Sequence, residues 1–327
     1  MTNRKLTFGI YPGGGAGSDT GITSGPPDDP ERIAACLDEL QGDVRPFVVR
    51  VYERFSDAAN PSKWPPGTPS DFRACAGNGR LFDLVVMFQS ASGDVAGFLE
   101  FLGARIRQNA EHLYSVQVTE EASFVHGPDC IDGPYPNVRR ALVEGVVAAR
   151  RQLDALGLGG VKVGFNSTPT FGPESEFWAA IGQLGGSAFR DALGYVGVDF
   201  FPDVFRRVSA DRLAVATMGV LEAFRSQWMP AAGLGPEVPI HIAEHGWPTG
   251  PERPEDRQAE VLDEVIGIVE AEAERLNIER YTLFDLRDSD SGNPDLFHGF
   301  GITRDDYSPK PAFEVYRRRV QGLDRPT

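Results

Sequence analysis

The feature that most constrains this chain is a rhythm of short apolar runs and longer helical runs that persists from one end to the other. Runs rich in β-branched and aromatic residues predict buried strands at Leu6–Tyr11, Phe47–Tyr52, Leu81–Phe88, Leu113–Thr119, Val161–Asn166, Tyr195–Phe200, Pro239–Ala243 and Arg280–Leu286. Each is followed by a helical pattern, at Asp29–Gln41, Pro69–Asn78, Gly93–Glu111, Asn137–Leu156, Glu174–Leu193, Asp211–Trp228, Arg253–Leu276 and Pro311–Gln321. Pro30 is a pre-set helix start and Gly157 a stop. Strand and helix alternating at intervals of about 30–50 residues predict an α/β chain folded as a (β/α)8 barrel, with a doubly wound open sheet as the competing arrangement. A length of 327 residues suits one such barrel, and no low-complexity linker or composition shift marks a boundary, so residues 1–327 read as a single domain.

Charge narrows the partners. The formal net charge of −15 argues against nucleic acid and against anionic membrane surfaces, both of which need a basic patch. No run of 18 apolar residues suggests a membrane span. Cys36, Cys75 and Cys130 are too scattered for a disulfide framework, and the N-terminus runs into a strand without a signal-like apolar stretch. A cytoplasmic protein is the simplest expectation. Oligomeric state is not legible.

In a barrel of this kind the active site lies at the carboxyl ends of the strands. Those ends carry Tyr11, Arg50 (with Glu53 and Arg54 just beyond), Gln89, Glu120 and Glu121, Asn166, Asp199, Glu244, and Asp285, Arg287 and Asp288. Polar groups thus collect at one rim of an otherwise apolar barrel. Gathering buried carboxylates is costly without function or firm partners.

The stretch Val238–Gly250, V-P-I-H-I-A-E-H-G-W-P-T-G, concentrates the signal: a strand ends in Glu244, Gly246 and Pro248 stop it, and Trp247 is expected to stand exposed above it. Carboxylates on strands four and seven would face each other across the barrel mouth. That is what glycosidic bond hydrolysis needs: one acid protonated toward the leaving oxygen, the other ionised toward the anomeric carbon. Arg50 would keep the second one charged. The chemistry requires neither metal nor organic cofactor.

Three segments resemble the clan A glycoside hydrolases. E-H-G-W-P-T from Glu244 resembles their E-x-G-W-P nucleophile motif. The tail F-H-G-F-G-I-T-R-D-D-Y-S-P-K-P-A-F, Phe297–Phe313, resembles the segment that follows their strand eight. Q-V-T-E-E-A-S falls where they end strand four in N-E-P-N or N-E-A-N. The resemblance implies Glu244 as nucleophile, Glu121 as acid/base, Arg50 as support for the nucleophile, and Trp247 and Phe284 as walls for a sugar ring. Tyr11, Gln89, Glu120, Asn166, Asp199 and Asp288 complete the expected substrate-binding set. It also implies retention at a β-linked oligosaccharide or glycoside, or at an α-L-arabinoside of matching geometry.

Two positions depart from the pattern. Glu120 replaces the asparagine that precedes the acid/base, and Phe201 replaces a tyrosine that lies near the nucleophile. Glu120 itself as the acid stays open as a second register. A carbohydrate-binding barrel without catalysis, and transglycosylation, are the alternative readings.

Other patterns are weaker. His241, Glu244 and His245 spell H-x-x-E-H, but a strand broken by Gly246 does not present them as a helix would. Gly13–Ser18 lacks the residues of a phosphate loop and reads as a flexible loop at the mouth. Arg317–Arg319 suit a solvated helix end. Glu53, Arg54, Asp288 and Asp290 would bind substrate or pair with one another.

Overall fold

The computed structural model describes residues 6–323, except 19, 59, 60, 62 and 64. Eight parallel strands follow in chain order: β1 (Thr7–Ile10), β2 (Val48–Ser56), β3 (Leu81–Gln89), β4 (Leu113–Val118), β5 (Lys162–Ser167), β6 (Tyr195–Asp199), β7 (Ile240–His245) and β8 (Ile278–Leu283). β1 pairs with β8 through Thr7↔Arg280 and with β2 through Gly9↔Val48, so the sheet closes on itself and the open-sheet arrangement is excluded.

The outer ring is formed by α1 (Pro30–Gln41), α2 (Val95–Asn109), α3 (Val138–Ala155), α4 (Glu176–Ala192), α5 (Leu213–Ala223), α6 (Glu255–Glu272) and α7 (Pro311–Gln321). At α1 the Asp29 side chain accepts from the N–H groups of Glu31 and Arg32, with Pro30 in the first turn as expected. The helix expected at Pro69–Asn78 is instead a 3₁₀ segment, Phe72–Gly79, because Gly77 and Asn78 leave the helical region. Past Ala223, α5 continues through a π turn, Phe224–Trp228, to Ala231. No helix among the described residues is long and apolar enough to cross a membrane.

Three strand ends differ from expectation by two residues or more, and all three matter for the site. β2 runs to Ser56, where Tyr52 and Glu53 pair antiparallel with Thr68 and Gly67, so Glu53 and Arg54 lie within the strand. β7 includes Glu244 and His245. β8 stops at Leu283, leaving Asp285 and Leu286 beyond it.

The barrel interior is not apolar, as the strand-end reading assumed. Phe165 packs outward against Phe177, Trp178 and Phe189 of α4. The inward positions instead carry Arg50, Asp83, Ser115, Gln117, Tyr195, His241 and Arg280, all fully buried. Asp83 receives Nη1 of Arg50 at 2.7 Å, Nη2 of Arg280 at 2.7 Å and the Ser115 hydroxyl at 2.5 Å. Burial alone would raise its pKa, but the two guanidiniums and the hydroxyl outweigh it and hold the carboxyl well below the usual range.

A buried pair of this kind is strongly destabilised when one partner is removed, because the remaining charge stays buried. Asp83→Ala, which takes from Arg280 its carboxylate and from Arg50 one of three, is therefore expected to cost about 3–5 kcal/mol in urea unfolding. The double variant Asp83→Leu with Arg280→Met is expected to cost less than the single one, and equal losses would contradict the pairing.

Candidate active site

Arg50 is the centre of the carboxyl-terminal mouth. Its Nη1 reaches Gln117 Oε1 (2.9 Å) as well as Asp83, its Nη2 reaches Glu120 Oε2 (2.9 Å), and its Nε is shared between Glu244 Oε1 (3.3 Å) and the Tyr52 hydroxyl oxygen (2.7 Å). Tyr52 donates its hydroxyl proton to Glu244 Oε1. Glu120 also accepts from Gln117 Nε2 at 2.6 Å and from Asn166 Nδ2 at 2.9 Å, and the same Asn166 amide donates to Asp199 Oδ2.

Two breaks in strand alternation create this convergence. His241 and Glu244 both point inward although they are three positions apart, which strict period-two alternation forbids. The register of β7 slips between Ile242 and Glu244 against β6 and between Ile242 and His245 against β8, and this bulge re-aims the carboxylate. Gly246 is required just beyond it, since a Cβ there would lie 1.7 Å from the Phe284 carbonyl oxygen. At the end of β4, Gln117 and Glu120 likewise both face inward, because Thr119 (φ 66°) and Glu121 (φ 48°) are left-handed. Asp132 fixes that turn, its Oδ2 accepting the N–H groups of Phe88 and Glu120 at 2.7 Å each.

The carboxyl groups divide by environment. Burial and the neighbouring Glu120 charge push Glu244 up to about 7, against the pull of Arg50 and Tyr52. Glu121 is raised well above the carboxylate range by burial and by Glu120 and Glu244. Its tight anchor is its backbone, whose N–H donates to Asn166 Oδ1 at 2.9 Å. Asp199 is raised well above its range by burial, Glu244 and Glu120, and burial takes Asp132 up to about 8. Among the described residues, Glu120, Asp199 and Glu244 form the one acidic group spaced to share a cation, their oxygens lying within 4.8 Å of one another.

The structure thus brings together Arg50, Glu120, Asn166, Asp199 and Glu244 from the expected set, with Glu121 beside them. Tyr11 stacks on Phe284 at the mouth (ring centres 5.3 Å apart, 8° between planes) and meets Tyr52 edge-on. Trp247 is not exposed as expected: it is 1% accessible, donates Nε1–H to Asp203 and carries the Arg253 guanidinium over its ring. Gln89 is committed to the Cys130 carbonyl and Asp288 to Lys310 at 2.7 Å. Glu53 pairs with Arg105, and Arg54 donates to the Pro65 carbonyl, so neither pairs with the other.

His241 stacks on Tyr195 inside the barrel, whereas His245 meets the Tyr281 hydroxyl on the helix side, so the two imidazoles diverge. The Gly13–Ser18 segment packs at the mouth, where Gly14 donates its N–H to Asp28, itself paired with Arg287.

Sequence reasoning missed Tyr52, Gln117 and Asp132. Tyr52 was legible in principle: it follows Arg50 by two, on the same strand face. It gives Glu244 the hydroxyl that Phe201 lacks. Asp132, in a loop, left no periodic signal.

No protein-family model and no curated protein sequence matches the chain. Solved structures do. The barrel superposes on a β-glucuronidase from Ruminococcus gnavus with a TM-score of 0.59 at 12% identity, covering 97% of this chain and 49% of that one. A family 39 glycoside hydrolase from Bacteroides cellulosilyticus WH2 gives 0.56 at 14% identity over 97% of this chain and 64% of that one. The fold is that of clan A-type glycoside hydrolases. A glycoside hydrolase family 17 β-1,3-glucanosyltransferase from Rhizomucor miehei matches over almost its full length, with a TM-score of 0.58 and 15% identity over 94% of this chain and 97% of that one. An active-site mutant of the Rhizomucor miehei β-1,3-glucanosyltransferase was solved with laminaritriose. The chain spans about half to two thirds of the first two proteins, and at these identities the likeness is one of fold.

Tyr52→Phe removes a donor that favours the ionised form of Glu244. The Glu244 midpoint is therefore expected to move upward from about 7. Carboxyl NMR titration of the variant checks this, and an unchanged or lower midpoint would contradict the Tyr52 contact.

Proposed function

We propose that the chain hydrolyses a β-linked O-glycosidic bond by double displacement with retention. Glu244 acts as nucleophile and Glu121 as acid, then base. The observation that carries this reading is the contrast between the two groups. Glu244 Oε1 is held by two donors, Arg50 and Tyr52, and is kept ionisable near neutrality. Glu121 sits near the same negative charges, which together with burial raise it well above the usual carboxylate range. Two carboxyls whose environments separate their proton affinities are suited to opposite roles.

Arg50 and Tyr52 occupy Oε1 of Glu244, leaving Oε2 to attack the anomeric carbon. Glu121 protonates the leaving oxygen as that bond breaks. In the second half, Glu121 takes a proton from water, whose oxygen displaces Glu244 and restores the starting configuration. Transfer to a sugar hydroxyl instead of water would use the same residues. Glu120 suits the acid role less well, because its two oxygens already accept three hydrogen bonds, from Arg50, Gln117 and Asn166.

Glu244→Gln and Glu121→Gln are each expected to lower turnover of aryl β-glycosides by about 10²–10⁴-fold. A 2-deoxy-2-fluoro glycoside should leave its mass on the peptide that carries Glu244. Collapse in Glu120→Gln but not in Glu121→Gln would shift the acid by one residue. Sugar binding without turnover in the wild type would replace the enzyme with a binding barrel.

The pH profile follows from the same shifts. Activity rises as Glu244 loses its proton and falls as Glu121 loses its own. Because both are raised, the acid limb should lie near neutrality, at about 7. An optimum below pH 5 would contradict these roles.

A further inference from the structure

The mouth holds more carboxyl groups than two-carboxylate hydrolysis uses. The side chains in mutual contact there include two guanidiniums, Arg50 and Arg280, against the four carboxyls of Asp83, Glu120, Asp199 and Glu244. Glu121 is a fifth acid beside them. Arg280 and Arg50 are drawn on first by Asp83, deep in the barrel. Asp199 is left without a cation of its own. It is 1% exposed, and although Oδ2 accepts from Asn166, its Oδ1 is buried with no hydrogen-bond partner. A carboxylate oxygen in that condition is costly unless a ligand meets it.

On the reading that Glu244 is the nucleophile, its carboxylate must touch the anomeric carbon, and the ring substituent one bond away is the one on C2. We propose that this substituent is a free amine, so that the substrate is a β-linked glycoside of a 2-amino-2-deoxy sugar bound through Glu120, Asp199 and Glu244. A hydroxyl offers one hydrogen to this group of acceptors, whereas an ammonium offers three and a full charge. Three acceptors about 2.8 Å from a tetrahedral nitrogen lie about 4.6 Å from one another. One oxygen from each of Glu120, Asp199 and Glu244 lies within 4.8 Å of the other two.

The extra charge also has a use in the reaction. A C2 ammonium opposes the positive charge that develops on the neighbouring anomeric carbon, and nearby carboxylates offset that repulsion. The same carboxylates would repel a uronic acid. Bound ammonium would in turn favour the ionised forms of Asp199 and Glu244, which burial otherwise disfavours.

The test compares 4-nitrophenyl β-glycosides in matched amine, hydroxyl and N-acetyl forms, in both gluco and galacto series, with wild type, Asp199→Asn and Glu244→Gln. The expected result is a kcat/KM at least tenfold higher for a free-amine substrate than for its hydroxyl and N-acetyl counterparts. That ratio should shrink severalfold in Asp199→Asn, whose melting curve reports its folding. Hydroxyl substrates cleaved as well as or better than amines, with the activity lost in Glu244→Gln, would overturn the amine and keep the glycosidase.

If no substrate turns over, the glycosidase reading fails, and thermal shifts with free glucosamine, galactosamine, glucose and galactose at pH 7 decide the amine by itself. Stabilisation by an amino sugar alone, weakened in Asp199→Asn, supports it; equal or absent shifts overturn it. Stabilisation by magnesium or calcium chloride alone, lost in the same variant, would assign the carboxylates to a metal and also overturn it.

Discussion

A single buried guanidinium ties the barrel floor to its mouth. Arg50 spends its nitrogens on Asp83 below, Gln117 on β4 and Glu120 just beyond it, and Glu244 and Tyr52 at the rim. An arginine suits this place because its planar fork offers five donors in fixed directions and stays charged when buried. A lysine would present a point charge that burial can neutralise. The desolvation of Arg50 is offset only because several acceptors meet it at once. The candidate site is therefore part of what holds the interior together, and the geometry of Glu244 depends on strands on the opposite side of the barrel.

That arrangement explains why the barrel tolerates so many charges inside. Asp83, with two guanidiniums and a hydroxyl, is a well-compensated anion and is held low. Glu244, Glu121 and Asp199, sharing what remains of Arg50, are under-compensated and are held high. One ladder of ion pairs thus yields stabilising carboxylates near Arg280 and proton-holding ones near the mouth. The difference follows from how many cations and donors offset burial at each carboxyl, not from residue type.

Much of this was legible in the chain. Eight apolar runs alternating with helical patterns determined the barrel, and the carboxyl-end rule then pointed to Arg50, Glu120, Glu121, Asn166, Asp199 and Glu244. Tyr52 was within reach of the same alternation that places Arg50. Trp247 shows where linear reading fails: a tryptophan after a strand stop looks exposed, yet Asp203, from a distant loop, takes its polar edge and Arg253, from the turn that follows, covers its face. Asp132 could not be found, because it acts on the backbone of Phe88 and Glu120 across a loop with no period.

The sequence by itself determined the closed barrel and the cast of charged residues, because hydrophobic period and strand order are local properties of the chain. Only the tertiary structure decided which way the decisive side chains face. By alternation from His241, Glu244 belongs on the helix side, and by alternation from Gln117, Glu120 does too. A bulge between Ile242 and Glu244, forced by pairing with β6 and β8, turns the first inward. The left-handed backbone at Thr119 turns the second, above an aspartate that caps the turn. Both reversals depend on contacts made across the fold, with neighbouring strands in the first case and with a loop aspartate in the second, and no run of residues along one strand encodes them.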